Sequence, residues 1–333
     1  QNIYNEKKKK RRIFLILITL ASVLAFVLVG IVISSFVKAN QIMKEESQEL
    51  SPFAANLLPD YSNVSFQTLK GDLNLYGWWI NAQTEETLAT VILVHSQGMN
   101  RLPFGLDSVD LFDNLTKAGC AVLTFDLRNS AESDGSLSSF GYMESNDVLA
   151  ALKYAYTAAP NRPVVLFGVG SGTAAVLRAM IHMEEVYKAE DNKTHSDESE
   201  LCNPDIVSAL ILDTPARSSD DFIAAKIAKE QSFGRYFLPR TVPLAIRLSS
   251  DNKAAQDYLS YLSQLTVPVL LLGYERDNFL PEKAYMPLWA ERERTHPSLT
   301  QTFQVKGSDH LTAFNSESVN YSKAVTDFIN LWF

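Results

Sequence analysis

Cysteine is nearly missing from this chain: 333 residues contain two, Cys120 and Cys202. Two thiols in a chain of this length make no disulfide framework, and Cys120, which opens an apolar run, reads as a buried side chain. No segment repeats with a solenoid or propeller period, so an array of small units is excluded. Low-complexity tracts and a disordered composition are missing as well. What remains is 46% hydrophobic with ordinary Gly and Pro content, enough to bury one large α/β core with an inserted subdomain. No cofactor and no metal is expected.

Charge is also missing where it matters most. Residues 13–37 contain no charged side chain and follow six consecutive cations, Lys7, Lys8, Lys9, Lys10, Arg11 and Arg12. At about 1.5 Å per residue such a helix is roughly 37 Å long, enough to cross a hydrocarbon layer of about 30 Å with some tilt. The cations on one flank place residues 1–12 in the cytoplasm as a basic tail and the bulk of the chain outside, at the plasma membrane as a single-pass protein. Val37-Lys38-Ala39 offers a weak cleavage pattern, but the apolar run exceeds the usual signal-peptide core of about 7 to 15 residues, so an uncleaved anchor is expected. The chain starts at Gln1 without a Met, so further residues upstream are expected. Setting aside Glu6 and the six cations leaves 24 basic and 37 acidic residues, a net −13. A domain that acidic repels phosphate backbones and excludes nucleic acid as a partner.

After a polar stretch read as a tether or an entry helix (38–64), short apolar runs alternate with helical patterns. The runs lie at 74–80, 89–94, 121–125, 164–167, 207–212, 269–272 and 302–305, the first after a Gly71-Asp72 turn that suggests a hairpin. Val148, Leu149, Leu152 and Tyr156 are spaced for one helix face. Continuous apolar strands separated by helices imply a mostly parallel sheet covered on both faces, whose chemistry lies at the carboxyl ends of the strands.

Those ends read HSQGMN (95–100), DLRNSAESDG (126–135), GVGSG (168–172), DNFLP (277–281) and GSDH (307–310). In this order they resemble the α/β-hydrolase family, in particular membrane-anchored bacterial serine hydrolases of the esterase, lipase and aminopeptidase-like group. There the corresponding stretches are HGxGGN, DxRGHGxSxG, GxSxG, an acid followed by an apolar pair and Pro, and a late His. The resemblance covers roughly 65–333 and implies an α/β-hydrolase fold: an eight-stranded, mostly parallel sheet, helices on both faces and a helical cap at about 217–265. It implies Asp277 as the acid, with Glu275 as a neighbouring candidate, and His310 as the general base, held in its tautomer by the acid. The backbone N–H groups of Gln97 and Ser171 fall where the family builds its oxyanion hole.

The nucleophile is the exception. The centre of GxSxG is Gly170 in this chain. Ser171 beside it is a poor substitute, since it would put Val169 and Thr173 where the turn wants small residues. HG has become His95-Ser96 and RGHG has become Arg128-Asn129-Ser130-Ala131, so several tight-turn glycines are lost together. His95 is expected to shape its strand end, and His182, His195 and His296 to be structural or solvated. GVGSGT also resembles a dinucleotide loop, but Thr173 is too large and the next strand ends more than 40 residues on, at Asp213.

The leading expectation is a pseudohydrolase: a membrane-anchored hydrolase scaffold that binds a ligand or a membrane-protein partner. The alternative is a working serine-type hydrolase with an unconventional nucleophile, or with Gly170 introduced by engineering. Phe222, Ile223, Ile227, Phe233, Tyr236, Phe237, Leu244 and Ile246 suggest a cap that lines an apolar pocket for an acyl or lipid-like ligand; ordinary cap packing explains them equally.

Overall fold

A computed structural model describes residues 2–190, 203–230, 233–252 and 254–333. Cys202, His195, most of the polar insertion after residue 184 and the Phe233 side chain lie outside the described residues.

Eight strands form one sheet in the order β1-β2-β5-β3-β6-β7-β8-β9. They are β1 (Tyr61–Gln67), β2 (Asn74–Ile80), β3 (Ala89–Val94), β5 (Cys120–Phe125), β6 (Val164–Val169), β7 (Val207–Asp213), β8 (Val269–Asp277) and β9 (Thr300–Asp309); a short β4 (Pro103–Leu106) lies outside the sheet. β1 and β2 form the hairpin and run antiparallel, β2 also meets β5 antiparallel, and every pairing from β5 to β9 is parallel.

The all-apolar central strands are buried on both faces because their side chains alternate between two helical layers. Along β6, Val164 and Leu166 face one core, while Val165, Phe167 and Val169 face the other. The first core is covered by α3 (Ser145–Ala158), α4 (Ser171–Glu190), α7 (Tyr258–Gln264) and α8 (Glu282–Thr295); the second by α2 (Ser108–Lys117), α9 (Ala313–Ser316) and α10 (Ser318–Trp332). The insertion after β7 folds as α5 (Ser219–Lys229) and α6 (Leu238–Ser249) and joins the first core through Phe222, Ile223, Ile227, Val242 and Ile246.

The apolar N-terminal run lies within α1 (Asn2–Met43), a single helix long and apolar enough to cross a membrane. Its exposed, uncharged length ends by docking: Ser35, Ala39, Ile42 and Met43 are buried against the globular body, the last three within the first core. Within the 38–64 stretch, α1 continues to Met43 and β1 begins at Tyr61. Ser35, Ala39 and Ile42 continue a helical spacing past Lys38, which is the signal that marks the docked turn.

Candidate active site

The turn from β6 into α4 has the shape of a strand–elbow–helix junction. Gly170 sits at its apex with φ +55°, a left-handed conformation in which an ordinary side chain is strained. A Cβ on Gly172 would come 2.2 Å from the Val94 carbonyl oxygen, so the first turn of α4 packs directly against the end of β3.

Gly170 itself has a neighbour where its side chain would be. A Cβ there would lie 2.7 Å from Ser96 Oγ, a contact that requires Ser96 to shift, and 3.0 Å from Leu311 Cδ2, a tight contact. Ser96, standing where the family motif has glycine, thus occupies the space over the apex. Its hydroxyl accepts from the Ser171 N–H at 3.2 Å and lies 3.1 Å from Ser171 Oγ. Ser171 Oγ in turn accepts from the Gln97 N–H at 2.8 Å. The two backbone donors expected to face a developing oxyanion are therefore both taken by hydroxyls of the chain itself.

The acid and histidine positions are held together. The last residue of β8 is Asp277, and one residue beyond β9 is His310; the parallel pairing of these strands brings the two together. His310 Nδ1 lies 2.7 Å from Asp277 Oδ2, which fixes the tautomer with Nδ1–H donating and Nε2 free to accept a proton. The ring stacks on Phe279 at a centroid distance of 4.5 Å. Asp277 Oδ1 accepts from the Phe279 N–H at 2.7 Å and the Leu280 N–H at 2.6 Å, so the same carboxylate also folds the turn that follows it. Glu275 is exposed and directed toward the Gly307 N–H at 3.5 Å. Asp213, at the end of β7, is fully buried; its carboxylate accepts from Tyr321 and Thr214 hydroxyls at 2.7 and 2.8 Å, and burial holds its pKa above the usual carboxylate range.

His95 is a strut. Its Nδ1–H donates to the Ser96 carbonyl at 2.8 Å and its Nε2 accepts from the Leu127 N–H at 2.9 Å, tying β3 to β5. Burial lowers its pKa and keeps it neutral.

The loop at 128–131 has lost its glycines but keeps a backbone that favours them. Asn129 has φ +56° and Ala131 φ +40°. Asn129 Nδ2 reaches the carbonyls of Met43 and Glu45 at 3.3 Å each, and the Ala131 N–H donates to Ser47 Oγ at 2.8 Å. Gln97 joins in through Nε2, which donates to the Ile42 carbonyl at 3.2 Å. Asn100 Nδ2 donates to the Gln48 carbonyl at 3.1 Å. The end of α1 and the residues after it are thus clasped by the loops that follow β3 and β5. A cleft of about 450 Å³ opens beside this junction, lined in part by Ser47, Gln48, Asn129, Ser130 and Glu132 rather than by Gly170 or His310.

Residues 91–320 match the alpha/beta hydrolase family, more than two thirds of the chain. The chain belongs to that family. Among solved structures, an esterase of Pyrococcus furiosus, Pf2001, superposes with a TM-score of 0.63 at 18% identity, covering 87% of this chain and 98% of its own. Est1E of Butyrivibrio proteoclasticus, solved with ferulic acid bound, gives a TM-score of 0.56 at 18% identity over 81% of this chain and 98% of its own. The esterase RhEst1 of a Rhodococcus species gives 0.54 at 14% identity over 82% and 100%. No curated protein sequence matches the chain. At these identities the neighbours establish the alpha/beta hydrolase fold, and the chemistry has to be read from the residues.

Asp277 and His310, which the resemblance pairs, lie in hydrogen-bond contact, and Ser171 accepts from the Gln97 N–H beside Gly170. Sequence reasoning singled out Ser96 only as a lost glycine; its contact with the apex depends on the packing of β3 against α4, which no local pattern reports. Leu311 is a similar case: it follows His310 with φ +58°, and its side chain reaches the apex.

Proposed function

We propose that this protein is a membrane-anchored pseudohydrolase: an alpha/beta hydrolase scaffold held at the plasma membrane by α1, with a cytoplasmic N-terminus, that binds a partner instead of forming an acyl-enzyme. One observation carries the reading. The Ser96 hydroxyl lies 2.7 Å from where a nucleophile's Cβ would stand, and it accepts the Ser171 N–H that would otherwise face an oxyanion.

The energetic consequence is large. Removing a triad nucleophile costs about a million-fold in turnover, and the residual rate of about 10³ to 10⁴ over water comes from binding and the oxyanion hole. Here the oxyanion donors are engaged as well, so that residue shrinks further. Several cap residues, Phe222, Ile223, Ile227 and Ile246, share one core with Ala39, Ile42 and Met43. That use of apolar surface favours a partner in or beside the membrane over an acyl ligand in an open pocket.

A second reading, an active hydrolase with an unconventional nucleophile, is favoured by the Asp277–His310 pair at 2.7 Å. The full-length protein in detergent, treated with a fluorophosphonate probe and with p-nitrophenyl esters, separates the two. The pseudohydrolase acquires no adduct and no esterase activity above buffer. An adduct abolished by Ser171→Ala or Ser96→Ala overturns it in favour of the second reading.

A further inference from the structure

We infer that α6 lies in the membrane–water interface beside α1, with Leu244 and Leu248 inserted among lipid headgroups and upper acyl chains. The inference rests on the reading of α1 as a membrane anchor and adds a second contact of the domain with the same bilayer.

The two helices meet at a defined depth. Ser35 Oγ, in α1, lies 2.7 Å from Thr241 Oγ1, in α6. Ser35 is two residues inside the end of the uncharged run at 13–37, about 3 Å at the rise of a helix. Lys38, the first charge after that run, pairs with Glu230 at 2.6 Å, so the boundary between apolar and charged surface on α1 falls level with α6.

At that level α6 leaves apolar side chains uncovered. Val242, Ala245 and Ile246 face the core, whereas Leu244 is 44% and Leu248 52% exposed. They follow Thr241 by three and seven residues, which places them on the side of α6 that turns toward α1. The surface of α1 flanking Ser35 is of the same kind, with Val32 and Phe36 exposed. One apolar surface thus runs from the span onto the cap helix. A run of about 20 residues fills a hydrocarbon layer, so the last few of the 25 uncharged ones already lie in the interfacial zone where amphipathic helices bind.

Charge points the same way. Beyond the basic tail the chain carries a net −13, yet residues 231–250 contain no acidic residue. Arg247 is paired with Asp220 at 3.2 Å, whereas Arg240 is exposed on α6, one turn before Leu244. An exposed arginine beside an apolar face, in an otherwise acidic domain, suits anionic headgroups, to which a basic residue near the surface adds about 1 kcal/mol.

The test uses the full-length protein in vesicles of phosphatidylcholine and phosphatidylglycerol, in a Cys202→Ser background with Cys120 buried. Single variants Leu244→Cys, Leu248→Cys, Val27→Cys and Val319→Cys are labelled with an environment-sensitive fluorophore and quenched from the lipid by doxyl-labelled lipid or from water by iodide. Val27 lies in the span, and Val319 is 80% exposed on α10. The inference expects labels at 244 and 248 to lose at least about half their emission to the lipid quencher and to resist iodide, with 319 behaving oppositely. Iodide access at 244 and 248 equal to that at 319 overturns it, and so does shielding from both quenchers, which means a protein surface covers the face. Absence of lipid quenching at 27 removes the anchor and this inference together; quenching at 27 without quenching at 244 and 248 removes this inference alone.

Discussion

The two parts of the candidate site differ. On the β8–β9 side, Asp277 and His310 stand 2.7 Å apart in the arrangement that a base needs. On the β3–β6 side the apex carries no hydroxyl, and the space and the N–H donors around it are occupied by Ser96 and Ser171. The difference follows what each residue does for the fold. Asp277 also accepts the Phe279 and Leu280 N–H groups and so shapes its own turn. A side chain at Gly170, at φ +55°, would add strain. On the proposed reading, Asp277 is kept because it has a second, structural task, whereas a nucleophile at 170 would have had only a chemical one.

The most severe way to break this comparison is to rebuild the lost half. Gly170→Ser alone forces its Cβ against Ser96 Oγ at 2.7 Å, so we expect ester turnover within about tenfold of wild type. Ser96→Gly with Gly170→Ser removes that contact and frees the Ser171 N–H. The double variant should exceed wild type by at least about a hundredfold in p-nitrophenyl ester hydrolysis. Equal rates for the single and double variants would show that Ser96 is not the obstruction.

The retained half can be challenged through stability. Asp277→Ala leaves two backbone N–H groups without their acceptor and should cost about 2 kcal/mol in urea unfolding, against less than about 1 kcal/mol for His310→Ala. If the two variants cost the same, the structural explanation for Asp277 fails.

Asp213 offers a pH-resolved comparison. Burial raises its folded pKa, so the stability it contributes is fully present below the unfolded value near 4 and is lost as pH rises through the folded value. Asp213→Asn should therefore stabilise the protein at pH 8 by about 1 kcal/mol and lose that advantage toward pH 4. A melting-temperature difference that is flat with pH would contradict the assignment.

The smallest effect concerns the rebuilt loop. Ala131 holds φ +40° where the family motif has glycine, so Ala131→Gly should stabilise by roughly 0.5 kcal/mol. A loss of stability would mean that the methyl group contributes packing beyond its strain.

Much of this architecture is legible in the sequence, and the exceptions have physical causes. The apolar runs mark seven sheet strands; β3, β5, β6, β7 and β8 are legible because a parallel sheet buried on both faces demands continuous Val, Ile and Leu. β1 escapes notice because it is an edge strand, YSNVSFQ, whose outward positions are polar and exposed. The pairing of Asp277 with His310 is readable from motif order, since parallel neighbours end on the same side of the sheet. The filling of the apex is not, because Ser96, Gly170 and Leu311 are far apart in the chain and meet only where three strand ends converge. The docking of α1 is partly written in Ser35, Ala39 and Ile42, but the hydrogen bonds at its end include those from Gln97 and Asn129, loop residues whose partners depend on the folded path.

The most direct test of the divided cleft is the intact mass of wild-type protein and of the Ser96→Gly, Gly170→Ser double variant after identical fluorophosphonate treatment. The wild type is predicted to keep its mass and the double variant to gain one adduct, mapped to residue 170. An adduct on the wild type, or none on the double variant, would contradict the account.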